Sequence, residues 1–553
     1  MCEELCATQG HRVALVWMHD HILAAKIEKI GCAYFPHHPN DYDALRVVGV
    51  EEAASIMTLS DDDRLNLQVA LKARDINPQI RVVLRQFNRT LGRKLEQNLP
   101  NCSVLSLASH SAASFVSTAL DPSCFYGLEF PANAGSQVGF AQRTAAAFGI
   151  AGMLPPAAER HMKCRLVSVS GRAVFPSDRP LQPDDVCVVF GRVSLLEASS
   201  GTHYVKSVDR RKRHVKRIWW AFTKRLRTMR TIDPILMRVI VASMVFFVVA
   251  VFYFAAVLKK DLMTAFYFVG TTFTSTGYGD ITPLDKGPLA MFAAVVLMGG
   301  GVAAVGIFTA FATSALTRAQ FTAMQGLRQI RTRGHVLVCG SGNVGTRVIE
   351  YLRDLDQKVV VIDANPDPTL VEASRTRRIE LLTGDATLDA TLDLCNLVNA
   401  RAVVALIESD TANLEVALGA RARNPGIPVV MRVNDASFAH SIGSNFEAIT
   451  TYSTTTLAAP AFAMLSRFPG TRGRIAFGDD TYNVGERLQG EVPQPPPADH
   501  CIPLAVWRRG AFHHIDAFDQ MEPYDRLLFL VPLSQFKPAP ARAAAEPVTA
   551  AAT

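Results

Sequence analysis

Thr274-Ser275-Thr276-Gly277-Tyr278-Gly279-Asp280 lies between two long apolar runs, and that setting decides how it reads. Two glycines one residue apart let backbone carbonyls turn to one side, because a Cβ would oppose the alternating conformation. Between two membrane-length segments the loop places irregular backbone at membrane depth. Such backbone is tolerated only inside protein or beside water.

Working outward, Ile235 to Leu258 is almost wholly apolar, with Arg238 near one end, and is long enough to cross a bilayer. A soluble core helix of this length rarely lacks a polar face. Lys259, Lys260 and Asp261 end it. Leu262 to Phe273 is too short to cross and predicts a re-entrant helix feeding the loop. Leu289 to Leu316 is the second span, with Gly299-Gly300-Gly301 near its middle. Those glycines serve either close helix packing or a bend that makes them a gating hinge. Basic residues crowd 205–233, from Arg210 to Arg230, and return at Arg318, Arg328, Arg331 and Arg333. Basic flanks on both spans predict that both termini are cytoplasmic. The same reading assigns the basic stretch to a membrane boundary rather than to nucleic acid. Neither span is Arg-rich in the manner of a voltage sensor.

On these residues, 234–318 resembles the outer helix, pore helix, filter and inner helix of two-transmembrane potassium channels. The family filter reads Thr-Val-Gly-Tyr-Gly-Asp; here Ser275, Thr276, Gly277, Tyr278, Gly279 and Asp280 stand in those places. Filters of this kind replace an ion's water shell with rings of carbonyls from four chains. The resemblance implies a multi-pass protein of the bacterial inner or plasma membrane, a homotetramer around one filter formed by Thr274 to Asp280, and K+ as the transported ion. Thr276 replaces the usual valine, so cation conduction is implied more firmly than strict discrimination against sodium.

After the second span, Gly334–Cys339 predicts a strand that runs straight into Gly340-Ser341-Gly342-Asn343-Val344-Gly345. A helical pattern follows, then a second strand ending at Asp363. This is a GxGxxG in strand–turn–helix context, with an acid placed for ribose hydroxyls. Alternating strands and helices argue a parallel, doubly wound sheet. Residues 334–465 resemble the RCK domain, the regulator of potassium conductance, also seen in subunits of Trk-type uptake systems. That resemblance implies a regulatory nucleotide on Gly340–Gly345, Asp363 and Asp385, with NAD, NADH, ATP and ADP all open, and a cytoplasmic gating ring. Asp385, Glu408 and Asp410 are candidate ligands of a divalent cation. A Pro-rich linker over 485–500 precedes a small β-rich lobe over 501–537. An Ala/Pro tail over 538–553 reads as disordered.

The first 200 residues hold a repeat. Asn66 to Arg85, NLQVALKARDINPQIRVVLR, matches Asn413 to Arg432, NLEVALGARARNPGIPVVMR, at thirteen of twenty positions with a constant offset of 347. The offset places Val13–Val16 on the strand that ends at Asp363. Residues 1–120 therefore read as a degenerate RCK-like half that lacks the first strand and glycine loop, with a small lobe over 160–200. Either it is a structural partner, or the gene begins further upstream. Its missing strand would expose a sheet edge, which proteins cover.

The whole is a multidomain chain: an α-helical two-span membrane unit plus α/β Rossmann-like domains with β-rich lobes. A net charge of +7 is local to the membrane flank, and ten scattered cysteines without metal spacing read as reduced. The leading expectation is a ligand-gated, cation-selective channel and not an enzyme. A regulatory subunit of a potassium uptake system and a membrane-tethered NAD-dependent enzyme are the competing readings.

Overall fold

The computed structural model describes residues 2, 5–6, 12–17, 21–131, 136–173, 177–199, 234–324, 329–376, 379–446, 448–466, 468–488, 501–514, 521–522 and 524–533. The predicted linker over 205–233 and the tail over 538–553 lie outside them. The chain divides into two units, one holding both RCK-like copies and the other the membrane spans.

The first copy runs β1 (Ala14–Val16), α1 (His21–Ile30), β2 (Ala33–Phe35), α2 (Tyr42–Val47), β3 (Ser55–Thr58), α3 (Asp63–Ile76), β4 (Arg81–Arg85), α4 (Arg89–Asn98), β5 (Cys102–Leu105) and α5 (Leu107–Leu120). Its small lobe follows with β6 (Cys124–Phe130), β7 (Ser136–Thr144), α6 (Pro155–Met162), β8 (Arg165–Val169), β9 (Val186–Arg192) and α7 (Val193–Ser199). The membrane unit is α8 (Pro234–Leu258), α9 (Leu262–Phe273) and α10 (Pro288–Met324).

The second copy runs β10 (Val336–Cys339), α11 (Asn343–Asp354), β11 (Val359–Asp363), α12 (Pro368–Thr376), β12 (Ile379–Thr383), α13 (Asp389–Leu394), β13 (Ala402–Ala405), α14 (Asp410–Arg423), β14 (Val429–Arg432), α15 (Ala436–Asn445), β15 (Ile449–Tyr452) and α16 (Thr454–Leu465). Its lobe is β16 (Thr471–Phe477), β17 (Asp480–Leu488), β18 (Ile502–Arg508), β19 (Ala511–His514) and β20 (Arg526–Pro532).

The two copies have related strand orders. The second copy has one parallel sheet ordered β12-β11-β10-β13-β14-β15, while the first has two pieces, β1-β2 and β3-β4-β5. Inserting a strand between β1 and β3 would restore the same order; among the described residues nothing fills that place. The repeat extends to single side chains. Buried Asn66 donates to the carbonyls of Ser60 and Arg85 and accepts from Ser60 N, and buried Asn413 does the same with Ile407 and Arg432. Every one of these positions differs by the same offset. A buried amide costs free energy unless its donors and acceptors are all met, which explains why the motif is strict.

The small lobes start earlier than the spacing predicts. Their sheets are β6-β7-β9-β8 and β16-β17-β20-β18-β19, so the first opens at Cys124 rather than 160 and the second at Thr471 rather than 501. Residues 485–488, assigned by composition to the Pro-rich linker, belong to β17. Asp185 accepts from Gln182 N and Asp525 from Glu522 N, both at 2.8 Å, so the matched Pro-Asp turns are alike.

The copies are joined by an exchange of helices. The apolar side of α5 packs on the second copy's sheet and α11: Ala112, Phe115, Val116 and Ala119 share a core with Val336, Val338, Val348 and Val404. In return, Ala458, Ala461, Phe462 and Leu465 of α16 pack on Val83 and Leu105 of the first copy. Helix α5 is buried nearly all round. Two of its serines are satisfied within the helix, Ser111 on Leu107 O and Ser117 on Ala113 O, both at 2.8 Å, while Ser114 donates to Gly127 O of β6. Each helix ends on a cation from the opposite copy: Arg401 donates to Leu120 O at 2.9 Å, and Arg81 to Leu465 O at 2.5 Å. A guanidinium there favours the negative end of the helix.

A pseudo-twofold axis passes between these helices, because His110 Nε2 meets the carbonyl of Leu457, its own equivalent 347 residues on, at 3.1 Å. Burial holds this imidazole at a pKa of about 4, against an ordinary 6.5, and nearby Arg472 adds to the effect. Below pH 6.5 the unfolded chain takes up a proton that the folded one refuses. Stability should therefore fall as pH drops from 6.5 towards 4, by ~3 kcal/mol in total, and stay flat above. Urea titrations of the full chain against pH check this; His110→Met should remove that part of the slope.

Candidate functional sites: the pore loop and the glycine loop

Helices α8 and α10 are long and apolar enough to cross a membrane, and only 11% and 17% of the two spans is buried within the chain. A soluble core helix would be mostly buried, so these faces call for lipid or further copies. Asp261 caps α9, accepting from Thr264 N at 3.1 Å and from its hydroxyl at 2.6 Å. The C-terminal end of α9 leads straight into the filter residues, where its partial negative charge favours cations.

In the loop, φ is positive at Ser275 (60°), Gly277 (50°) and Gly279 (74°), while Thr276 and Tyr278 are not in that region. This alternation is what aims successive carbonyls to one side. The non-glycine Ser275 holds the left-handed conformation at a cost of roughly 1–2 kcal/mol. The loop is pinned from behind: Thr276 N and Gly277 N both donate to Thr271 O, at 2.9 and 3.1 Å. Thr274 and Thr276 hydroxyls bond each other at 3.0 Å. Tyr267 stacks parallel to Tyr278 at 6.4 Å. Thr276 thus uses its hydroxyl as a strut, which a valine would not supply. Ser275 to Gly279 are exposed in a single chain.

The three glycines of α10 separate. A Cβ on Gly301 would lie 2.2 Å from the carbonyl oxygen of Phe273, and one on Gly300 would lie 2.6 Å from the Phe246 ring; Gly299 has open space. The first two are glycines of close approach, and α10 runs unbroken through them. The hinge expectation narrows to Gly299.

The glycine loop divides its labour in the way phosphate-cradling loops require. Gly340 has φ of 94° and a Cβ there would sit 2.9 Å from Leu406; a Cβ on Gly345 would sit 2.0 Å from Gly340 O; at Gly342 there is nothing within 4 Å. The outer two glycines set turn and packing, and the middle one leaves backbone open to an approaching group. Asn343 and Val344 start α11, so their N–H groups belong to its positive end. Asp363 accepts from Ser341 N at 2.5 Å, from its hydroxyl at 2.6 Å and from Asn365 N at 2.8 Å. The acid and the loop are thereby brought together. The residues fit a nucleotide: an open backbone cradle beside a carboxylate at the end of the second strand.

The candidate divalent site does not assemble. Among the described residues no group of three or more His, Cys, Asp or Glu side chains could hold a metal. Asp410 is occupied as a loop clamp, accepting from Asn434 N at 2.9 Å and Asp435 N at 3.1 Å, and Asp63 does the same work for Phe87 N. Asp385 closes its own turn on Thr387 N and hydroxyl. Glu408 meets the loop through its backbone carbonyl, which accepts from Asn434. Their chemistry is local structure.

Comparison with known proteins agrees with this division. Residues 239–318 match the ion channel family model, and residues 1–101 and 336–450 match the TrkA-N domain model. The chain thus carries a two-span segment that matches ion channels, with a segment that matches TrkA-N domains before it and another after it. Potassium channel protein 1 of Methanocaldococcus jannaschii is 28% identical over 32% of this chain and 54% of its own length. The voltage-gated potassium channel Kch of Escherichia coli is 27% identical over 32% of this chain and 43% of its own. The chain spans about half the length of these curated relatives. A solved structure described as the GsuK channel bound to NAD aligns over 97% of this chain and 75% of its own, at 13% identity and a TM-score of 0.47.

Proposed function

We propose that four copies of this chain form a potassium-selective pore in the cell membrane, with both termini cytoplasmic and opening controlled by a nucleotide on the second RCK-like copy. The observation that carries this is the alternating backbone at Ser275, Gly277 and Gly279. Each chain offers one such loop, exposed; several loops around an axis make a carbonyl-lined path, and closed symmetry follows from identical subunits. Relatives named as potassium channels support K+ as the ion. The open Gly342 cradle and Asp363 support an adenine nucleotide such as NAD, NADH, ADP or ATP as the regulator. A regulator must bind the open and closed states with different affinity, and only that difference moves the pore.

The test is planar-bilayer recording under a potassium/sodium gradient, with and without each nucleotide. A reversal potential near the potassium limit and a nucleotide-dependent open probability are expected. In Gly342→Val, whose side chain would fill the cradle, the nucleotide effect should vanish while conductance persists. A sodium-leaning reversal potential, or open probability that ignores every nucleotide, would overturn the respective half of the reading.

A further inference from the structure

A second polar pocket lies between the two copies, away from the glycine turn itself. It has a volume of about 440 Å3 and is lined by Phe87, Asn88, Arg89, Thr90, Arg93 and Arg347. Three guanidiniums from two copies border it, and among the described residues no carboxylate lines it. Arg89 and Arg93 belong to α4 and Arg347 to α11, each within the first turns of its helix, and neither helix has an acid in its first turn. Cations at that end oppose the helix macrodipole. Three of them on one cavity is a local conflict of the kind sequences keep at binding sites.

The independent sign is Arg347. It is only 9% exposed, and its Nε has no hydrogen-bond partner among the described residues. Its Nη1 meets Glu350, and across the junction Arg89 meets Glu129, which also accepts from Tyr351 at 3.0 Å. Those contacts hold the arginines in place as a frame. Asn88 caps α4 by accepting from Leu91 N at 3.1 Å, and the leading N–H groups of the turn add further positive edge.

We infer that this pocket binds a small phosphate-bearing anion, best a diffusible phosphoanhydride, which bridges α4 of the first copy to α11 of the second. Arginine forks match phosphate oxygens, and helix N-termini accept them. Because Arg347 sits two residues beyond Gly345, an anion here also fixes the helix on which the glycine loop rests. The degenerate first copy, without a glycine loop of its own, thereby contributes charge to control.

Isothermal titration of the full chain in detergent with inorganic pyrophosphate, and separately with inorganic phosphate, decides this. Pyrophosphate should bind, and more tightly than phosphate. Arg93→Gln, at an exposed position, and Arg347→Gln should each weaken it at least tenfold. In the Gly342→Val background, where the glycine loop is filled, pyrophosphate should still bind and the arginine changes should still weaken it, which separates this site from the glycine loop. Absence of pyrophosphate binding, binding that survives both arginine changes, or binding lost in Gly342→Val would overturn the proposal.

Discussion

Gly473→Tyr should drive the two RCK-like copies apart. A Cβ at Gly473 would lie 1.7 Å from the hydroxyl of Tyr126, and Tyr126 is its equivalent across the pseudo-axis. The Tyr126 hydroxyl donates to Arg472 O at 3.3 Å and the residue is 4% exposed, so it has nowhere to go. Overpacking of this kind costs about 3 kcal/mol or more. Tyr126→Gly should cost a similar amount by emptying the same space, roughly 3–5 kcal/mol. The exchange variant carrying both changes should recover most of the loss, because one ring then again faces one glycine. Denaturant unfolding of the four proteins gives the coupling energy directly. If the double variant loses merely the sum of the single losses, the complementarity does not control pairing. The consequence is specific: two first copies would set tyrosine against tyrosine, and two second copies would leave a void. Unlike copies are matched to each other.

Gly301→Ala should abolish conduction. The added carbon would meet backbone, the Phe273 carbonyl at 2.2 Å, and backbone cannot turn aside as a side chain can. Phe273 is the last residue of α9, immediately before Thr274, so any displacement passes directly into the filter. Gly299→Ala meets nothing within 4 Å and should leave assembly and filter intact. Tetramer mass in detergent and single-channel current separate the effects. Loss of current in both variants would restore a hinge role across the whole Gly299–Gly301 run. Full current in Gly301→Ala would refute the packing reading.

Several of these features were legible in the chain before folding. The spans and re-entrant helix follow from apolar length, the glycine loop from its strand–turn–helix context, and the first copy from a constant offset. Lobe boundaries were not, because a turn signature such as Pro131 to Ser136 marks a turn without telling which sheet its flanking strands join. The acids Asp385, Glu408 and Asp410 looked like ligands because spacing cannot distinguish a coordinating carboxylate from one closing a loop. The repeat did contain an unused clue: positions 110 and 457, and 126 and 473, differ in size and polarity between otherwise matched copies. Such differences are where a pseudo-symmetric interface breaks its symmetry.

Sequence by itself determined what is local: which segments are apolar enough for lipid, where backbone must take positive φ, and which turn can admit a phosphate. Those depend on residues a few places apart, governed by sterics and transfer free energy. Tertiary structure alone decided that α5 and α16 are exchanged between copies, that Gly300 and Gly301 are contacts rather than joints, and that Arg89, Arg93 and Arg347 share one pocket. Each of these depends on residues 28 to 384 positions apart meeting in space, as Gly301 does with Phe273 and Arg81 with Leu465. No spacing rule encodes such meetings; they arise when apolar faces on distant segments leave water together.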